Sequence, residues 1–270
     1  MDGGEPVNAR MVAVRAGLAR GRIEFRHNAG QVFGYVLFPV IALALLHFLS
    51  GTTVAGSGLS LGTWAIPGVL AMNIVFTGLM GLAMTLIMER DDGTLLRAKA
   101  TPNGVLGYLV GKVAGQAAMS VATLLIVLVP AGFLFDDLRL GALSSWLTLA
   151  GVLALGMAAT LPLGAIIGAL FTNPRDFRFV TLLLMGLVAV SGVFHPLAAL
   201  PAWGQWIGQA FPMYWIGLGM RSAILPGELS EAEIGASWRH LETVGVLGAW
   251  AVAGFVIAPI VLRRMARRES

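Results

Sequence analysis

Six apolar runs, each closed by a short cluster of polar or charged residues, divide this chain: 31–49, 64–88, 105–135, 145–171, 179–194 and 243–262. Most reach the roughly 20 residues that a helix needs to cross a hydrocarbon layer about 30 Å thick. The pattern predicts an all-α, polytopic membrane protein with six transmembrane helices in one domain over 1–270. Residues 7–27 differ. Val7, Met11, Val14, Leu18 and Phe25 share a narrow arc at helical periodicity, flanked by Arg10, Arg15, Arg22 and Arg26. This predicts an amphipathic interfacial helix, with arginine stems over lipid and guanidinium groups among phosphates.

Residues 195–227 fit neither class. The stretch is apolar but broken by Pro196, Pro201, Pro212 and Pro226, with Trp203, Trp206, Tyr214 and Trp215 interleaved. It is too interrupted for one span and too apolar for a solvated loop. A re-entrant hairpin of two short helices, ringed by interfacial aromatics, meets both constraints. Glu228 to Glu242 read as a polar exit to the last span. Trp64, heading the second run, is expected at a membrane interface. Gly107, Gly111 and Gly115, and separately Gly164 and Gly168, are expected to let helix backbones approach closely.

Composition agrees: 57% of residues are hydrophobic and 12% charged, about half the ~25% charge of soluble domains. With no cysteine, disulfides, thiol catalysis and thiolate metal sites are excluded. The first 30 residues hold five arginines and no uninterrupted apolar core, so no cleavable signal peptide is expected. Basic residues scatter at the ends of runs, which argues for topology signals and against nucleic acid as a partner. Of 18 Lys and Arg, five lie in the N-terminal segment, three in 89–104, two in 172–178 and four in the tail. The opposite loops carry three, and Lys112 sits at the inner edge of the third run. Six spans then put both termini and the 89–104 loop in the cytoplasm.

Familiar catalytic patterns are missing. Gly111-Lys112 is the nearest approach to a phosphate-binding loop, but Leu106 replaces the first glycine and Val113 the hydroxyl residue. His27, His47, His195 and His240 lack zinc-protease spacing. Ser191 and His195 stand one turn apart without an oxyanion-forming motif. No catalytic residue and no metal ligand is therefore assigned, and no cofactor in this chain. No acidic residue lies within a run, which disfavours ion coupling. The polar residues inside runs are mild: Asn73, Thr77, Thr85, Gln116, Ser120, Thr123 and Thr160. Most are expected to join helices. Asn73, Thr77 and Gln116 are the candidates for a substrate path.

One charged island stands between the second and third runs: Glu89, Arg90, Asp91, Asp92, Gly93, Thr94 and Leu95, followed by Arg97 and Ala100-Thr101-Pro102. It resembles the first cytoplasmic loop of ABC-2 type permeases, the membrane halves of a class of ABC exporters. A second block resembles the C-terminal signature of the same family: Ser191 to Leu197 with His195-Pro196, then Pro201 to Trp203, Pro212 to Trp215, and Arg221. Where the family has a second aromatic or apolar residue before the first proline, this chain has His195. An N-terminal interfacial helix is a further shared feature, and the likeness is greatest to actinobacterial daunorubicin and multidrug-efflux permeases.

The resemblance implies a coupling helix at 89–101 resting on a separate ABC ATPase. It implies two such subunits, which hold ATP and magnesium, and a second permease as homodimer or paralogous heterodimer. The setting would be the bacterial cytoplasmic membrane. The expected function is export of a hydrophobic or amphipathic compound (drug, antibiotic or lipid-like). The competing readings are a secondary transporter and a non-transport membrane scaffold or assembly factor.

Overall fold

The computed structural model describes residues 29–52, 60–91, 104–135, 137–171 and 177–268. The expected interfacial helix at 7–27 and most of the 89–104 loop lie outside these residues. Regular structure among them is helical: α1 Ala29–Phe48, α2 Leu61–Val75, a π-helical turn Phe76–Gly81, α3 Leu82–Asp91, α4 Gly104–Leu134, α5 Leu143–Leu170, α6 Phe177–Ala189, α7 Ala202–Ala210, α8 Pro212–Ile224 and α9 His240–Arg268. Short 3-10 turns occupy Leu197–Ala199 and Gly227–Ala232. The segments Leu61–Glu89, Tyr108–Leu134, Leu143–Leu170 and His240–Leu262 are long and apolar enough to cross a membrane, and Pro39–Phe48 and Phe177–Ala189 are shorter apolar helices.

The rod α2–π–α3 is the axis of the fold. Ser60 starts it, its Oγ accepting the Thr63 backbone N–H at 3.1 Å, the usual service of an N-cap serine. Every α2 residue from Gly62 to Val75 is buried. A helix apolar all round belongs inside other helices. Here α1, α4, α5 and α8 enclose it. Next to it, α5 is the hub, touching α2, the π-turn, α3, α8 and α9. Its glycines permit this. A Cβ on Gly164 would stand 2.6 Å from the carbonyl oxygens of Gly78 and Leu79, and one on Gly168 2.9 Å from that of Ala83. In lipid, close backbone approach is a main source of helix attraction. The α4 glycines behave differently: Gly111 is buried, but Gly115 faces open space.

The outer faces are apolar too. Leu147, Phe179, Leu182, Leu183, Val252 and Phe255 are exposed on α5, α6 and α9. Such contiguous apolar surface would drive association in water; against lipid tails it needs no cover. On α6, Phe177, Val180, Leu184 and Val188 turn inward at helical spacing.

Two expectations from sequence are corrected on the side opposite the charged loop. Trp64 is not interfacial but wholly buried, packed with Leu225 and Leu229 under the Arg221 guanidinium, 5.7 Å from its ring. Nor are the aromatics of 195–227 a uniform ring. Trp203 and Trp206 are exposed, while Tyr214 and Trp215 are buried. The cause is α8, which packs on α2, α5 and α9 and turns both side chains into the bundle.

Candidate functional site

At its π-turn the central rod departs from α-helical geometry, and there the bundle is hollow. A cavity of about 490 Å³ opens between α1, the rod and α6. Pro39 of α1 and Phe177 and Met185 of α6 form one side. The rod supplies the other: Val69, Met72 and Asn73 from α2, Phe76, Thr77, Met80 and Gly81 from the π-turn, and Met84 from α3. Single π-turns inside α-helices occur often at functional sites. Here the turn is pressed from behind by α5 at Gly164, so it cannot relax by moving away from the cavity.

Two polar groups stand in this otherwise apolar wall. Asn73 Oδ1 accepts the Thr123 hydroxyl at 2.8 Å, which ties α2 to α4. Thr77 is wholly buried, and its hydroxyl has no hydrogen-bond partner. By contrast, Thr85, Thr160 and Thr181 each donate to the carbonyl four residues earlier, the usual resort of a threonine within a helix. Of the three substrate-path candidates, Asn73 and Thr77 come together at the cavity. Gln116, on α4 and part-buried, is not among its lining residues.

The charged loop has its base at the end of α3. Glu89 is part-buried, paired with Lys112 Nζ and accepting the Tyr108 hydroxyl, both from α4. Lys112 also lies 5.8 Å from the Tyr108 ring. This cluster ties together the two helices that flank residues 92–103. The Glu89 carboxylate, expected to face a partner, is engaged within the chain. Arg90 and Asp91 complete α3. Asp92, Gly93, Thr94, Leu95 and Arg97 lie outside the described residues, as do Arg10, Arg15, Arg22 and Arg26.

At the far end, a second charged group is sealed inside the protein. Arg221 of α8 and Glu233 have side chains at 0% exposure, with Arg221 Nε 2.6 Å from Glu233 Oε1. The approach is off the N–H axis, so the pair is held by charge rather than by a formed hydrogen bond. Arg221 Nη1 donates to the Gly192 carbonyl at 2.9 Å. Gly192 adopts φ +70° at that corner, a conformation natural to glycine. Glu233 is thus sealed within the stretch 228–242 that reads in sequence as a polar exit to the last span. Of the remaining outer residues, His195 and Trp203 are at the surface to different degrees, Pro196 and Pro212 are buried and Pro201 is exposed. Ser191 donates to the Val188 carbonyl at 2.8 Å, a helix-end bond with no catalytic geometry.

Residues 52–260 match the family described as ABC-2 family transporter protein. The chain belongs to that family. Its relatives include a protein named as doxorubicin resistance ABC transporter permease DrrC in two strains of Mycobacterium tuberculosis. Identity to it is 24% over 214 residues, covering 76% of this chain and 74% of that protein. The transport permease YvfS of Bacillus subtilis is 24% identical over 147 residues, 54% of this chain and 59% of YvfS. The protein is therefore a multi-pass membrane permease of the ABC-2 class, the membrane component of an ABC transporter, and the family associates with an ABC ATPase subunit. The match spans the whole rod, the outer segment and every residue of the cavity wall except Pro39. What sequence reading missed in the permease is the sulphur-rich wall, although Met72, Phe76, Met80 and Met84 recur every four residues.

Proposed function

We propose that the permease is the membrane half of an ATP-driven exporter that moves a hydrophobic or amphipathic compound out of a bacterial cell. The observation that carries this reading is the cavity, apolar with two uncharged polar groups, set around the middle of the rod. Such a site suits a molecule of largely apolar character. In this reading six helices span the cytoplasmic membrane: α1, the α2–α3 rod, α4, α5, α6 and α9. Both termini are cytoplasmic, residues 7–27 lie along the inner surface, and α7–α8 form the outer re-entrant hairpin. Two permeases pair, as homodimer or paralogous heterodimer, and two ATPase subunits bind ATP and magnesium.

Residues 89–101 rest on the ATPase. The Glu89–Lys112–Tyr108 cluster clamps the base of that segment, so a push on it is delivered to α3 and α4 together. Because α3 continues into the π-turn, motion there reaches the cavity wall directly. Asp92, Gly93, Thr94, Leu95 and Arg97 supply the contact surface.

The test is coexpression of the permease with its ATPase and measurement of copurification and ATP-dependent efflux. Leu95→Asp places a carboxylate at the apolar centre of the contact, where truncating an anchor alone costs about 2 kcal/mol or more. Asp92→Arg sets a like charge against any basic rim. Both variants should insert at parental levels yet lose the ATPase and the efflux. Parental efflux from both would remove the coupling assignment.

A further inference from the structure

The chemistry of the cavity wall also selects among molecules. We propose that the cavity binds uncharged, flat aromatic molecules carrying one or two hydrogen-bonding groups, and that it rejects the ionised form of any molecule that titrates. This rests on reading the cavity as the substrate site.

The first ground is the sulphur in the wall. Met72, Met80 and Met84 stand on the rod at multiples of four residues, and Met185 faces them from α6. Thioethers are polarisable, favour the edges of aromatic rings, and adapt to ligands of different outline. Phe76 and Phe177 add aromatic surface to the same wall, suited to offset or edge-on ring contacts.

The second ground is charge. Among the described residues, no ionisable side chain lines the cavity. Arg178, next in sequence to Phe177, is exposed and lies over the Phe179 ring at 5.1 Å. Glu89 and Lys112, beyond Met84, are paired with each other. An ion entering this wall gives up its hydration and finds no counter-charge, which is strongly unfavourable. A weak base must therefore enter as its free base.

The third ground is Thr77. Its hydroxyl is buried and unpartnered in the π-turn that lines the cavity, whereas those of Thr85, Thr160 and Thr181 are bonded to their own helices. Thr77 is fully covered, so a ligand meets it only by parting the wall; a buried donor without a partner then favours a ligand that brings an acceptor. Asn73, one turn away, offers a second polar point.

The experiment uses the full-length chain in lipid nanodiscs, with two fluorescent probes of nearly the same shape. Acridine is uncharged at neutral pH and presents one ring-nitrogen acceptor; N-methylacridinium is permanently cationic and has no free acceptor. Binding is measured against empty nanodiscs. Acridine should bind on the order of tenfold or more tightly than the cation. Thr77→Val, close in shape, should weaken acridine several-fold and leave the cation unchanged. Met84→Glu, which brings a carboxylate to a part-exposed position of the wall, should narrow or invert the preference.

Equal binding of the two probes, or binding of neither, would overturn the proposal. So would a preference that survives Met84→Glu and Met72→Ala/Met80→Ala unchanged, because the probe would then sit elsewhere. ATP-dependent efflux reads the exporter proposal separately. The predicted preference without efflux would leave this site standing and remove the exporter reading. Efflux without the preference would remove this inference alone.

Discussion

Glu233→Leu should be among the most damaging single substitutions in the permease, although Glu233 lies outside every long apolar helix. The Arg221 and Glu233 side chains are both at 0% exposure and 2.6 Å apart. Without Glu233, a guanidinium is left without a counter-charge in a dry site, and it cannot shed its proton. Removing one partner of a buried pair costs about 3–5 kcal/mol, a large share of the roughly 5–15 kcal/mol typical of a folded protein. Arg221→Met should be milder, about 2–3 kcal/mol. What it loses is the bond to the Gly192 carbonyl and the contact with the Trp64 ring, each worth about 1–2 kcal/mol. The double variant Arg221→Met/Glu233→Leu is apolar at both positions. It should return to within about 2 kcal/mol of the parent, since apolar replacement of a whole buried pair is often neutral. Equilibrium unfolding of the four proteins in mixed micelles, followed by tryptophan fluorescence, measures the cycle. A coupling of roughly 2 kcal/mol or more is expected. Strictly additive single effects, or a Glu233→Leu variant as stable as the parent, would mean that water reaches the pair and that the burial argument fails.

Gly164→Val should abolish monodisperse, folded protein, because its Cβ would meet the Gly78 and Leu79 carbonyl oxygens at 2.6 Å and neither backbone can yield. Gly115→Leu should elute like the parent in size-exclusion chromatography, its Cβ having nothing within 4 Å; matching elution of the two variants would refute the packing account. For topology, the cysteine-free chain allows a direct test. Glu231→Cys, exposed beside the buried pair, should react with an impermeant maleimide on intact cells, and Thr94→Cys only after permeabilisation. Labelling of Thr94→Cys from outside would overturn the inside placement of the charged loop.

Helix content and the position of the long helices were readable from the chain alone, because solvent class decides them. A run of apolar residues bounded by charge must be helical in a medium that offers the backbone no hydrogen bonds. Family membership was legible in the same way, from short blocks around 89–101 and 191–221 that need only their order to be recognised. The packing role of Gly164 and Gly168 could be anticipated from spacing, since two small residues four apart share one helix face. Beyond this, local pattern runs out. Trp64 at the head of an apolar run reads as an interfacial anchor, and only the passage of α8 beside it makes it a core residue beneath Arg221. Glu233, in a polar stretch, reads as part of the exit to the last span until the chain folds back and pairs it with an arginine twelve positions earlier. Gln116 resembles Asn73 and Thr77 as a mild polar residue within a run, yet only the latter two line the cavity, because helix rotation is set by neighbours. The cavity itself is wholly tertiary. Its four methionines are ordinary core residues in sequence, and they become a binding wall only where a π-turn, held from behind by a glycine of α5, leaves the space between the rod, α1 and α6 unfilled.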